Sequence, residues 1–337
     1  MPATITNGSK FMQAVTYTGT GATQTIAVGF QPDFVWIKSR SAATDHKLTD
    51  SVRGVTKALI SDTTGAETTD VNGLTAFTSN GFTIGSDSVY NTNGATYVAW
   101  CWQAGQGTTS SNTNGSITST VSVNATAGFS IVTYTGNGTN ATVGHGLGVA
   151  PKFIIGKIRN QAGYDWTVYH ASLGATQYLY LDSTQAANSS ALFWNNTAPS
   201  STVLTLGTGN SINSNGNTFV FYCFAEIAGF SKFGSYTGNG SADGPFVYTG
   251  FLPKFILTKR TDTTSDWIIY DTARDTYNAE VLRLYPNAST AETNAGAIDG
   301  LSNGFKLRDN GPSQNASGGT YIYMAFASNP FAQSNAR

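Results

Sequence analysis

The chain has 337 residues, of which 11% are charged and 40% hydrophobic, with a formal net charge of −1. An ordinary globular protein carries about 25% charged residues, so here the polarity comes from Gly, Ser, Thr and Asn, a composition suited to β structure with many turns. The near-zero charge disfavours nucleic-acid binding. No run nears the roughly 18 apolar residues of a membrane span, so no membrane insertion is expected.

In chain order, the opening MPATITNGSK lacks the charged head and apolar stretch of a secretory signal peptide. The expectation is synthesis in a cytoplasm. Four landmarks then recur three times. The first is Tyr17-Thr18-Gly19, returning as Tyr134-Thr135-Gly136 and Tyr236-Thr237-Gly238. The second is a proline, an apolar run and a lysine: Pro32–Lys38, Pro151–Lys157 and Pro253–Lys259, followed by Arg40, Arg159 and Arg260. The third is an Asp-aromatic strand, Asp165–Tyr169 and Asp266–Tyr270, with a weaker version at Asp45–Thr49. The fourth is a closing strand, Thr96–Trp102, Thr218–Phe224 and Thr320–Phe326. Recurrence of four landmarks in one order marks a tandem repeat.

The repeat divides the chain into copy one (9–105), a Gly/Ser/Thr/Asn-rich linker (106–127) with one strand expected at Ile117–Val123, copy two (128–228) and copy three (229–331). The apolar runs are short, β-branched and aromatic, and bounded by Pro or Gly. They predict an all-β chain of three tandem antiparallel β-sandwiches, jelly-roll-like. The closing strands, apolar on both faces, should be central. One short helix is expected near Asp271–Tyr277 or its counterpart Asp50–Lys57.

Chemistry is sparse. Cys101 and Cys223 hold the same station in two copies, where copy three has Ala325, so buried core positions are expected rather than a disulfide. His46, His145 and His170 fall at different landmarks and fit no metal motif. Asp50 and Arg53 recur as Asp271 and Arg274, whereas copy two has His170 and Leu173; a structural cap is the favoured reading. Asp262 and Asp266 lack a calcium-loop pattern, Glu226 and Asp243 have no evident partner, and no pair of opposed carboxylates is indicated. No catalytic residue, metal or cofactor is expected. Aromatic faces stack on sugar rings, which makes Trp166 and Trp267 candidate glycan contacts, with Tyr90, Trp194 and Tyr285 as alternatives in loop-like segments. The commoner fate of such aromatics is the core.

Read together, Phe30–Arg40, Asp50–Gly54, Asn80–Gly85, Asn93–Gly105 and Tyr321–Phe331 resemble an uncharacterised domain family found in tail-fibre-like and other virion surface proteins of tailed phages, many of them marine. The resemblance brings no catalytic residues. It implies a non-enzymatic structural protein located in the virion, first as a tail fibre or receptor-binding component, and alternatively as a head decoration or cement protein or a glycan-binding module. The implied partners are other virion proteins, further copies of the chain and host cell-surface glycan.

Overall fold

A computed structural model describes residues 5–327; the end of copy three, 328–331, lies outside the described residues. Strands take 43% of the described residues and helix 6%, so the described fold is nearly all β, with several antiparallel sheets. Copy one supplies β1 (Met12–Thr18), β2 (Gln24–Ala27), β3 (Phe34–Ser39), β4 (Lys47–Asp50), β5 (Lys57–Ile60), β6 (Thr68–Thr69), β7 (Leu74–Thr78), β8 (Gly81–Ile84) and β9 (Thr96–Trp102). Then come β10 (Ser110–Asn112), β11 (Ser119–Asn124), β12 (Phe129–Thr135), β13 (Ala141–Gly144), β14 (Phe153–Ile158), β15 (Thr167–His170), β16 (Gln177–Tyr180), β17 (Asn188–Ser189), β18 (Val203–Leu206) and β19 (Thr218–Phe224). Copy three has β20 (Ser231–Thr237), β21 (Phe246–Tyr248), β22 (Pro253–Arg260), β23 (Trp267–Asp271), β24 (Glu280–Arg283), β25 (Thr293–Leu301), β26 (Gly304–Leu307) and β27 (Thr320–Ala327).

Each closing strand lies in the middle of its sheet: β9 between β1 and β3, β19 between β12 and β14, β27 between β20 and β22. The alternation of a strand sends its side chains to both faces. In β9, Val98, Trp100 and Trp102 enter one core while Tyr97, Ala99 and Cys101 enter another. The first of these cores is shared. It joins Trp36, Trp100 and Trp102 of copy one with Phe153, Tyr222 and Phe224 of copy two and Phe255, Met324 and Phe326 of copy three. The copies therefore turn one face of each large sheet toward a common centre. A smaller sheet covers the other face and encloses a core private to each copy.

The Tyr-Thr-Gly landmark has a structural cause. The tyrosine hydroxyl donates to the backbone just before the closing strand: Tyr17 to Tyr90 O, Tyr134 to Ile212 O and Tyr236 to Gln314 O. The glycine then passes so close to that turn that a Cβ on Gly19, Gly136 or Gly238 would meet a carbonyl oxygen at 2.2, 2.4 or 2.3 Å. A buried asparagine at each site, Asn91, Asn213 or Asn315, accepts a backbone N–H of the turn.

Two expectations change. The stretch 106–127 carries two strands, β10 and β11, which extend the sheet of copy two through β12. It is also clasped to copy one, because the buried Asp33 carboxylate accepts the backbone N–H groups of Ala104, Gln106 and Gly107 at 2.7–2.8 Å. The expected helix after Asp50 and Asp271 is a three-residue turn. Short helices occur instead at Ser88–Asn91, Ala191–Trp194, Asn210–Asn213 and Pro312–Asn315.

Candidate functional site at the seams between copies

The three copies meet pairwise, and equivalent residues recur at each seam. Asp50, His170 and Asp271 each end the strand that follows the proline strand. One oxygen of Asp50 accepts the N–H groups of Val52 and Arg53, which closes the turn. The other accepts Arg53 Nε at 2.5 Å and, from copy two, the Tyr222 hydroxyl at 2.8 Å. Asp271 repeats this with Ala273, Arg274 and, from copy one, Trp100 Nε1 at 2.9 Å. Tyr222, Trp100 and Met324 occupy the same station of the closing strand. Met324 has no proton to donate, and the residue at the Asp50 and Asp271 station in copy two is His170. Its Nδ1 accepts Ser172 N–H, so Nε2 carries the proton and donates to Tyr323 O at 3.2 Å. Burial pushes the His170 pKa down to about 4, which keeps the ring neutral and suited to both bonds.

The substitution is concerted. Arg53 also reaches Glu67 at 3.0 Å, and Glu67 is held in a fork by Arg159 of copy two at 3.0 and 3.1 Å. Burial would raise the Glu67 carboxyl, but the hydrogen bonds of Arg159 and the charge of Arg53 hold it below its usual range. Arg274, Glu292 and Arg40 build the same triad between copies three and one, with Arg40 at 2.9 and 3.0 Å. Backbone bonds mark matched stations: Glu67 N to Arg159 O, Glu292 N to Arg40 O and Ala187 N to Thr261 O. At the third seam the Arg and Glu stations hold Leu173 and Ala187. The station of Arg159 and Arg40 holds Thr261, and the neighbouring Arg260 pairs with its own Asp262, with both bonds at 2.9 Å. Where the other seams are filled by long ionic side chains, this one opens a cleft of about 350 Å³ between copies two and three. Leu173, Ala187 and Ile322 give it an apolar floor, and Ser172, Gln177 and Asp262 contribute polar groups.

A family model described as a domain of unknown function (DUF7483) matches residues 7–330. The chain belongs to the DUF7483 family. No curated protein and no solved structure matches it.

The residues singled out from the sequence of this DUF7483 chain lie apart. Trp166 and Trp267 are buried, and each donates its indole N–H across a seam, to Ile60 O and Tyr180 O. Tyr90 and Trp194 are 1% exposed. Tyr285 is half-buried and bonds Thr293 through its hydroxyl. Four of the five therefore offer no ring face to solvent. His46 accepts from Trp36 Nε1, and His145 bonds only backbone at Ser200 and Leu147. Asp266 accepts from Asn287, Glu226 pairs with Lys232, and Asp243 pairs with Lys306. Among the described residues, no three His, Cys, Asp or Glu side chains cluster as metal ligands. Cys101 and Cys223 are free thiols in different cores, and burial raises both pKa values.

Sequence reasoning did not find the cleft. Its signal was nevertheless present in the departure of copy two at His170 and Leu173. The lysines of the second landmark are legible in the sequence as a repeat, but their burial is not. Lys38, Lys157 and Lys259 are buried and donate to backbone carbonyls, and burial lowers each to about 8.

Proposed function

We propose that this DUF7483 chain is a non-enzymatic structural protein of a tailed-phage virion surface, in first place a tail-fibre or receptor-binding component. We read each copy as a two-sheet, jelly-roll-like sandwich, its first, third and last strands in one sheet and its second and penultimate strands in the other. The observation that carries the reading is the closed ring of three copies, tied at every seam by a buried hydrogen bond from the station of Asp50, His170 and Asp271 to the neighbouring copy's closing strand. One chain thereby offers three related outward faces, an arrangement matched to a threefold axis in a symmetric particle. The resemblance of the landmark segments to virion surface proteins supports the same conclusion, as does a surface rich in polar, uncharged residues.

The shared core favours a second reading. Three copies packed around one centre suit a decoration protein seated on the head. Gold-labelled antibody on intact particles tests both. Label on the tail is the expected result, label confined to the shell replaces it with the decoration reading, and particles without label overturn the proposal.

A further inference from the structure

We propose that the cleft between copies two and three is a binding site for a neutral sugar unit, a hexopyranose of a surface glycan. The inference rests on the receptor-binding reading above and gives it a location. At the other two seams the corresponding space is occupied by Arg53 with Glu67 and by Arg274 with Glu292. Replacement by Leu173 and Ala187 removes both long side chains at once, and none of the described residues fills the space they leave. The resulting cleft, about 350 Å³, lies at the lower end of small-ligand pockets, roughly 300–1,000 Å³.

The lining sets the ligand class. Ser172, Gln177 and Thr320 present hydroxyl and amide groups around an apolar floor of Leu173, Ala187 and Ile322. A pyranose has the same two-sided character, with hydroxyls at its edge and C–H groups on its faces. The one carboxylate in the lining is Asp262, held below its usual range by its hydrogen bonds to Arg260. It is ionised at neutral pH, so it repels an anionic ligand. Its fork with Arg260 already supplies the cation, so it has little to gain from a cationic one. Tyr321 beside it is itself fixed, stacked on Tyr236 at 4.9 Å.

The chain provides its own plug. At the matched stations Glu67 and Glu292 are held by Arg159 and Arg40. Ala187→Glu puts the same glutamate at the third seam, where Thr261 stands at the arginine station, and fills the cleft with a side chain the fold already accepts at two seams. Gln177→Ala removes one directing amide from a half-buried position and leaves the space open. The test is saturation-transfer NMR on the full chain with glucose, galactose, mannose and N-acetylglucosamine, with sialic acid and glucosamine as charged comparators. Thermal melts of both variants establish folding. The expected result is transfer to at least one neutral sugar, weakened about tenfold or more in Ala187→Glu and partly in Gln177→Ala. Absence of transfer to every neutral sugar, preference for a charged one, or transfer unchanged in both folded variants overturns the proposal. This measurement is blind to where the protein sits on a particle, and the antibody label is blind to the cleft, so the two readings fail separately.

Discussion

Trp100 of copy one donates its indole N–H to Asp271 of copy three at 2.9 Å, with both side chains fully buried. The bond closes the ring of three copies at the seam that joins the first copy to the last. Asp271 also neutralises Arg274, whose guanidinium is buried and lies over the Trp100 ring. Asp271→Ala is expected to destabilise the protein by about 3 kcal/mol, because it removes the nearer counterion of a buried guanidinium, leaving Glu292 to neutralise it, and strands an indole N–H. Asp50→Ala should cost a similar amount through Arg53 and Tyr222. Urea unfolding measures both, and a loss below about 1 kcal/mol would mean that these carboxylates do not hold the seams.

His170 tests whether the third seam is a coherent alternative to the other two. His170→Asp alone places a carboxylate at a fully buried station with Leu173 in place of an arginine and Met324 in place of a donor. We expect a loss of about 3 kcal/mol at neutral pH. The new carboxyl would have its pKa raised by burial, so the loss should be small below the usual carboxylate range and grow as the pH rises through the shifted value. Adding Leu173→Arg and Ala187→Glu should recover about 2 kcal/mol by giving the new carboxylate the arginine, and that arginine the glutamate, present at the other seams. A triple variant no more stable than the single one would show that the seams are not interchangeable.

The cysteines give a simpler expectation. Cys101 and Cys223 are fully buried in separate cores. Ellman's reagent should leave both untouched in the native protein and titrate both in denaturant, and a reducing agent should not move the melting temperature. Each Cys→Ala change imitates Ala325 of copy three and should cost about 1 kcal/mol. A melting temperature that falls on reduction would contradict this placement.

Much of this organisation was legible in the residues. The closing strands announced their central position by carrying bulky apolar side chains at successive positions, and the matched cysteines announced separate cores. What the residues could not show is that three copies share one centre. Periodicity reports which face of a strand is apolar, not what covers it. Trp166 and Trp267 have the features of surface stacking platforms and equally of seam residues, and only the partner carbonyls of Ile60 and Tyr180 decide between the two. The cleft was harder still, because it arises from an Arg and a Glu that are missing, far apart in the chain. The 106–127 stretch was misread for a related reason: Gly, Ser, Thr and Asn suit a linker and an exposed edge strand alike.

Asp182 and Asn287 occupy one station in copies two and three, and their difference sets up a pH experiment. Asp182 accepts the Trp166 N–H at 3.0 Å through one oxygen, while the other is buried without a hydrogen bond. Asn287 accepts the Trp267 N–H at 2.8 Å and donates its amide to Asp266 at 2.7 Å. Burial first, and then the charge of Asp165, push the Asp182 carboxyl up to about 7. A carboxyl raised in the folded state contributes stability that is complete below its unfolded value near 4 and is lost as the pH rises through 7. Asp182→Asn keeps the acceptor for Trp166, gains a donor aimed at Asp165, and removes the buried charge. The variant should match the parent near pH 4.5 and exceed it by about 1 kcal/mol at pH 8, since the attraction to Lys157 that it gives up offsets part of the gain. Urea unfolding at the two pH values measures the difference. A variant less stable than its parent at pH 8 would mean that Lys157 holds Asp182 ionised, and that the buried pair stabilises copy two as a pair.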